Sequence, residues 1–138
     1  MEIAYKVFRV EANGVLAPCV VKQETPEFYV EYQKKAINVP KIGKFFVFKS
    51  KPQWNQIARI IGKKHGVKVY RCLVDTLIEA RYVPSPPMGA YHTSAARHFW
   101  ENLSQFKSSN TQPIPDTHFC NEFWILEDVT NTIKGQLI

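Results

Sequence analysis

Alternating apolar and polar positions open the chain and predict a β-hairpin. The alternation runs from Tyr5 to Val10, and the return strand is predicted from Val15 to Val21. Between these runs, Asn13-Gly14 is a dipeptide that favours a tight primed turn, because both central residues of that turn need positive φ. Pro18 has no backbone N–H to donate, so we expect it at an edge or a bulge of the return strand.

Further segments have the composition of strands. A third strand is predicted from Phe28 to Gln33, and the apolar run "KFFVFK" is expected near the centre of the sheet. "VKVYRCLVDTLIEA" alternates over a longer stretch, and "HFCNEFWILEDV" supplies the last strand. The intervening stretch "KKAINVPKIG" is expected to be a connection or an irregular strand.

The segment that follows "KFFVFK" has the clearest helix signature in the chain. Ser50 and Gln53 have the spacing of a capping box. Pro52 suits the first turn of a helix, where its missing N–H costs nothing. An apolar stripe with helical spacing follows at Trp54, Ile57, Ala58 and Ile61.

Together these elements predict one α+β domain that spans residues 1–138. Its sheet should be mostly antiparallel, with about six strands and two helices. The second helix is expected from about Ser94 to Phe106, where apolar residues again recur with helical spacing. Residues 81–117, with this helix and its proline-bearing loops, are interpreted as an insertion before the last strand.

Composition limits the cellular class of the protein. Of the 138 residues, 45% are apolar and 22% are charged, as in an ordinary globular domain. No stretch has the roughly 20 apolar residues that span a membrane, and "MEIAYKVFRVEANG" does not resemble a signal peptide. The three cysteines are widely spaced and odd in number, which favours buried thiols over disulfides or metal ligands. We therefore expect a cytoplasmic protein.

Charge is distributed very unevenly along the sequence. The window from Gln33 to Val74 holds eleven Lys or Arg and no Asp or Glu, whereas the rest of the chain carries a net charge of −5. Such a segment predicts either an electrostatic surface for an anionic partner or a merely solvated basic face. The anionic partner would be nucleic acid or an acidic protein surface. The predicted anion-binding residues are Lys44, Lys49, Lys51, Arg59, Lys63, Lys64 and Lys68.

Other polar residues complete no catalytic or metal-binding motif. "HTS" at 92–94 matches one half of the paired His-x-Thr/Ser motif of two-histidine phosphodiesterases, but His118 is followed by Phe119 and no second half exists. HExxH, GxSxG and glycine-rich phosphate loops are missing as well. Ser50, between Lys49 and Lys51, would lie in a small anion pocket at a helix N-terminus, but an ordinary helix cap by itself explains Ser50 and Gln53 and is the favoured interpretation.

Two resemblances add to this interpretation. The order "YKVFRV", "GKFFVFKS", "VKVYRCLVD" and "FCNEFWILEDV" resembles a group of small uncharacterised proteins of phage and bacterial genomes. The chain also resembles the ADP-ribosyltransferase fold, in which an early-strand Arg and a Ser before a helix hold NAD and a late-strand Glu stabilises the transition state. The matching residues here are Arg9, Ser50 and Glu122.

The second resemblance implies a possible NAD-dependent transferase. However, Phe48 and Cys120 stand where the family motifs carry a second Ser and a Glu or Gln, which favours a non-catalytic version of the fold. The sequence therefore predicts first a binding protein with neither cofactor nor metal. A third alternative is a phage-type inhibitor that blocks a host factor through an acidic protein surface.

Overall fold

The sheet is built from strands that are distant in sequence. A computed structural model describes residues 1–18, 31–41, 43–61, 66–80 and 116–134, without the side chains of residues 59–61. The strands are β1 (Glu2–Val10), β2 (Leu16–Pro18), β3 (Phe45–Phe48), β4 (Val67–Val74), β5 (Ile78–Glu79), β6 (Thr117–Cys120) and β7 (Phe123–Asp128). One helix, α1, spans Trp54–Ile61, and a 3₁₀ turn spans Thr130–Thr132.

All seven strands pair antiparallel in one sheet. The order is β5-β6-β3-β1-β4-β7, and β2 pairs with β1 beside this path. The predicted antiparallel sheet is confirmed, and the described residues contribute seven strands to it. The described part of the chain is sheet-rich and holds one short α-helix. The second predicted helix and residues 81–115 of the predicted insertion lie outside the described residues. The finer α+β class with two helices therefore stays a prediction.

The β1–β2 hairpin is confirmed, but its turn differs from the predicted one. Arg9 pairs with Ala17, and Gly14 has a φ of +84°. Asn13 does not share this positive φ; instead its Oδ1 accepts the N–H of Val15 at 3.1 Å. The tight primed turn is therefore wrong, because a single glycine suffices for the longer loop that closes this hairpin.

The sheet curls strongly on itself. Two residues, Asn121 and Glu122, join β6 to β7, although four strand spacings separate these strands in the sheet. A flat sheet would hold them about 19 Å apart, whereas three Cα steps span at most about 11 Å. The rings of Phe45 on β3 and Phe123 on β7 accordingly meet, with centroids 4.8 Å apart. The curl encloses one face of the sheet and turns the other outward.

Each face of the curled sheet buries its own apolar cluster. The inner cluster lies inside the curl and contains Ala4, Phe8, Leu16, Tyr32, Phe45, Val47, Tyr70, Cys72, Val74, Cys120, Phe123 and Ile125. The outer cluster joins the opposite face to α1 and the C-terminal segment, through Val7, Phe48, Trp54, Ile57, Val69, Val129 and Ile133. Trp54 and Ile57 belong to the predicted apolar stripe of the helix, and they pack α1 against the sheet.

The predicted capping box at the start of α1 is wrong. The helix begins at Trp54, four residues after Ser50, and the C=O of Gln53 accepts the N–H of Ile57 at 3.1 Å. The side chain of Gln56 caps this end by accepting the Gln53 N–H at 2.8 Å. The Ser50 N–H is bonded elsewhere, to Asp116, and this long-range contact displaces the local cap.

Two other segments are described only in part. Of the predicted third strand, residues 31–33 are described, and Tyr32 forms an isolated bridge with Leu16. The described residues of the predicted connection, 34–41 and 43, are irregular, as expected, with one bridge from Asn38 to Phe123. Residues 19–21 of the predicted return strand lie outside the described residues.

Candidate functional site

Three of the predicted anion-binding cations have partners within the chain: Lys68, Lys44 and Lys51. Lys68 on β4 places its Nζ 3.6 Å from Asp128 Oδ2. Lys44 directly precedes β3, and its Nζ donates a hydrogen bond to Asn121 Oδ1. The side chains of three more predicted cations lie outside the described part of the chain: Arg59, Lys63 and Lys64.

Three exposed lysines lie close together where β3 leads into α1, and we call them the basic corner: Lys49, Lys51 and Lys134. Lys49 and Lys51 follow β3 directly, and Lys51 Nζ donates to Thr132 Oγ1 at 2.9 Å. The C=O of Lys134 accepts the N–H of Trp54 at 3.0 Å, which brings Lys134 to the start of α1. Within the described ranges, no carboxylate lies at ion-pair distance from these three ammonium groups.

Asp116 is the acid that borders the basic corner. Its Oδ2 accepts the N–H of Ser50 at 2.5 Å, and its backbone C=O accepts the N–H of Lys49 at 3.3 Å. His118 Nδ1 donates to the same carbonyl at 2.8 Å. Asp116 has a φ of +73°, which only a few non-glycine residues tolerate, Asp among them. The backbone donor of the predicted Ser50 pocket is therefore already bound by a carboxylate of the protein.

The acid-free window is partly neutralised from the far end of the sequence. Because β7 pairs with β4, its two acids lie beside β4: Arg71 Nε is 2.8 Å from Glu127 Oε1, and Asp128 faces Lys68. Charge counted along the sequence therefore overstates the charge of the β4 surface. The basic corner has no such acidic strand beside it among the described residues, and Asp116 is the acid that borders it.

A shallow cavity of about 280 Å³ opens next to the basic corner. Its wall is formed by Trp54, Val67, Thr130, Asn131 and Ile133. The Thr130 hydroxyl is engaged, since it accepts the Val69 N–H at 3.0 Å, whereas the exposed Asn131 lies on the surface of the 3₁₀ turn. The cavity thus has a mixed wall, with Thr130 and Asn131 as its polar residues.

The three residues of the transferase resemblance do not form a common site. Arg9 pairs with Val67 near the end of β1, and its Nη2 contacts Glu11 Oε1 at 3.0 Å. The register that pairs Tyr5 with Phe48 places Ser50 near the opposite end of β1, about 20 Å from Arg9.

Glu122 lies in the link between β6 and β7, where its N–H donates to Asp75 Oδ1 at 3.1 Å. The strand register thus places Arg9 and Ser50 apart, and the transferase alternative stays a prediction.

Sequence reasoning missed a buried lysine at the centre of the inner cluster. Lys6 is 8% exposed, and its Nζ donates to the C=O of Phe46 at 2.8 Å. Four ring centroids lie 5.5–5.9 Å from this nitrogen, those of Phe8, Tyr32, Phe45 and Phe123. This arrangement is a cation–π box filled by the protein's own ammonium group. The alternation of β1 assigns Lys6 to the same face as Phe8, but it does not show that this face is buried.

Two thiols lie in the same cluster. Cys72 and Cys120 are buried and unbridged, as predicted for them, while Cys19 lies outside the described residues. Burial raises the pKa of each thiol to about 12, although nearby Lys6 acts in the opposite direction. Such thiols are protonated at neutral pH and are poor nucleophiles.

Neither a metal centre nor a relative identifies the site. Among the described residues, no three His, Cys, Asp or Glu side chains are grouped so that they could hold a metal ion. No described helix is long and apolar enough to cross a membrane. Comparison with protein-family models, curated proteins and solved structures gave no match. Function must therefore be argued from the site itself.

Proposed function

We propose that this protein is a non-enzymatic binding protein that engages an anionic partner through the basic corner. The observation that carries the proposal is the group of three exposed lysines without an acidic partner in the described chain, beside β4 cations that do have acidic partners. Arg59, Lys63 and Lys64 stay predicted anion-binding residues. Lysine ammonium groups bind phosphate or carboxylate oxygens as mobile point charges.

Nucleic acid is the preferred partner under this proposal. Its phosphates would contact the basic corner, and an unstacked base would meet the exposed Asn131 at the margin of the neighbouring cavity. An amide next to cations can hydrogen-bond the edge of such a base. Contacts to the backbone would dominate, so we expect high salt sensitivity and little sequence preference.

The proposal is tested with a charge-reversal pair. The double variant Lys49→Glu/Lys51→Glu should weaken binding of a labelled single-stranded oligonucleotide at least about tenfold, because two attractive contacts become repulsive. The matched control is Lys34→Glu/Lys35→Glu, which changes the net charge equally on the 31–41 segment, a segment that bridges to β2 and β7 rather than β3. Equal losses in both variants would mean that overall charge alone drives binding, and would refute the basic corner.

An acidic protein is the other partner class, and it fits the phage-type inhibitor alternative. Competition separates the two classes. If polyglutamate displaces the oligonucleotide at equal charge concentration, the site recognises charge alone and a carboxylate-bearing protein becomes the better partner. If polyglutamate fails to compete, the phosphate and base contacts carry the affinity.

A further inference from the structure

His118 on β6 is a titratable side chain that the proposed function leaves unused. It is half-buried and lies in register between Val47 on β3 and Glu79 on β5. Its Nδ1 donates to the backbone C=O of Asp116 at 2.8 Å. Because a carbonyl oxygen only accepts, Nδ1 carries a hydrogen in either charge state of the ring, and the second proton binds at Nε2.

One carbonyl oxygen joins this ring to the basic corner. The C=O of Asp116 accepts the Lys49 N–H at 3.3 Å as well as the His118 Nδ1–H. The two distances together place Nδ1 within about 6 Å of the Lys49 backbone nitrogen, which is less than the screening length of about 10 Å at 0.1 M salt. A positive charge on the ring therefore adds to the electrostatic potential of the basic corner.

Both signs of charge surround His118 in the described part of the chain. The exposed Glu79 lies opposite it on β5, and the Asp116 carboxylate lies just before its own strand. Lys49 follows β3, and the buried Lys6 lies on β1, the strand beyond β3. Carboxylates and ammonium groups ordinarily keep their charge between about pH 5.5 and 8, whereas an imidazole changes its charge there. The ring is therefore the group of this set that responds to mild acid.

We propose that His118 makes the affinity of the basic corner for a polyanion rise as the solution becomes more acidic. This regulation rests on the proposed function, since it acts on the same site. In neutral solution the Asp116 carboxylate repels an approaching phosphate, and in mild acid the imidazolium of His118 offsets that repulsion. One unit charge at this distance in water-like surroundings should raise the association constant about threefold. Linkage is reciprocal, so a bound polyanion must in turn favour the protonated ring.

Fluorescence anisotropy with a labelled oligothymidylate at constant salt tests this regulation, because its bases and phosphodiesters gain no proton in the range used. The wild type should bind about threefold more tightly at about pH 5.5 than at about pH 8. His118→Gln keeps an amide donor for the Asp116 carbonyl but cannot titrate, so this rise should be lost. The control His92→Gln removes a different histidine and should keep the wild-type response. An equal rise in the wild type and His118→Gln, or an equal loss in His92→Gln, would overturn the role of His118.

A second measurement needs only the wild type and serves if His118→Gln fails to fold. In an NMR titration, the midpoint of the His118 ring signals should move to higher pH when oligothymidylate is bound, and an unmoved midpoint would overturn the proposal. Failure of the basic corner itself has a different signature. If the wild type binds at no pH, or if Lys49→Glu/Lys51→Glu binds as tightly, the proposed function falls together with its regulation. If that double variant loses binding while His118→Gln keeps the full pH response, only the role of His118 falls.

Discussion

Asn38 and Phe123 exchange both of their backbone hydrogen bonds, at 2.8 and 3.1 Å, across 85 positions of the sequence. The Asn38 side chain is buried, and it also accepts the Gln33 N–H at 2.8 Å and donates to the Gln33 C=O at 3.0 Å. One residue therefore fixes the fold of its own loop and attaches that loop to the outer edge of β7.

The first prediction concerns this attachment. Asn38→Ala should lower the free energy of unfolding by about 2–3 kcal/mol, because the backbone groups of Gln33 lose their partners in a buried place. Urea denaturation measures the change. Gln33→Ala is the control, since it leaves the Gln33 backbone intact and should alter stability by less than about 0.5 kcal/mol. Equal stabilities for Asn38→Ala and the wild type would contradict this role.

A second prediction concerns the buried cation. Lys6→Met keeps the length of the side chain but removes its charge and its hydrogen bond to the Phe46 carbonyl. We expect a loss of about 2 kcal/mol in the free energy of unfolding, and a larger one for Lys6→Glu. Lys49→Met, at an exposed lysine, should change little. If Lys6→Met proves more stable than the wild type, the desolvation cost of the ammonium group exceeds its interactions with the four rings.

The two buried thiols should make the folded protein less stable in alkaline solution. Burial raises the pKa of Cys72 and Cys120 from an ordinary 9.0 to about 12. The stabilisation that the two protonated thiols give the folded state is therefore complete below pH 9. It is lost as the pH rises from 9 toward 12, because only the thiols of the unfolded chain ionise in that range. A Cys72→Ala/Cys120→Ala variant should show a flatter alkaline limb in urea denaturation. An identical limb would mean that the buried thiols do not control it.

Acid stability should depend on Asp75. Burial alone would raise the pKa of this carboxyl, but hydrogen bonds from the Glu122 N–H and from the side chain and N–H of Asn121 outweigh it and lower the pKa. Its stabilisation is therefore present above the ordinary value of 3.8 and is lost as the pH falls through the lower folded value. Asp75→Asn should be less stable than the wild type at neutral pH, and the two should converge in strong acid. A constant difference at every pH would contradict this.

Local patterns predicted the parts of the fold that depend on neighbours in sequence. The β1–β2 hairpin, the docking stripe of α1 and the first part of the long predicted strand, which ends at Val74 as β4, followed from alternation and helical spacing. The curl of the sheet did not, because it depends on pairing between β6 and β3 and between β7 and β4. The Ser50 cap failed for the same reason, since Asp116, 66 positions away, takes its N–H.

Prediction of the candidate site from sequence is limited in the same way, because the site depends on contacts between distant residues. The charge window was visible in the sequence, but strand pairing decides which of its cations keep an excess of charge. Glu127 and Asp128 neutralise the β4 cations only because β7 folds beside β4. Lys134 joins the basic corner from the other end of the chain, through its hydrogen bond to Trp54. No periodicity in the sequence signals either contact.

Replacing Asp116 should strengthen polyanion binding, whereas replacing the lysines of the basic corner should weaken it. Its carboxylate borders the basic corner, so Asp116→Asn should strengthen polyanion binding by removing one repulsive charge. Asn tolerates positive φ and keeps an acceptor for the Ser50 N–H, so the fold should persist. Fluorescence anisotropy with a labelled oligonucleotide measures the affinity. Weaker binding by a folded Asp116→Asn variant would show that the carboxylate organises the site and does not merely oppose the ligand.

The most direct test of the basic corner is the salt dependence of oligonucleotide affinity, compared between the wild type and Lys49→Glu/Lys51→Glu. We expect the logarithm of the wild-type association constant to fall steeply and linearly with the logarithm of salt concentration. The double variant should have a slope that is smaller by about two, one for each lost phosphate contact. Absence of wild-type binding at low salt, or equal slopes for the two proteins, would contradict the account.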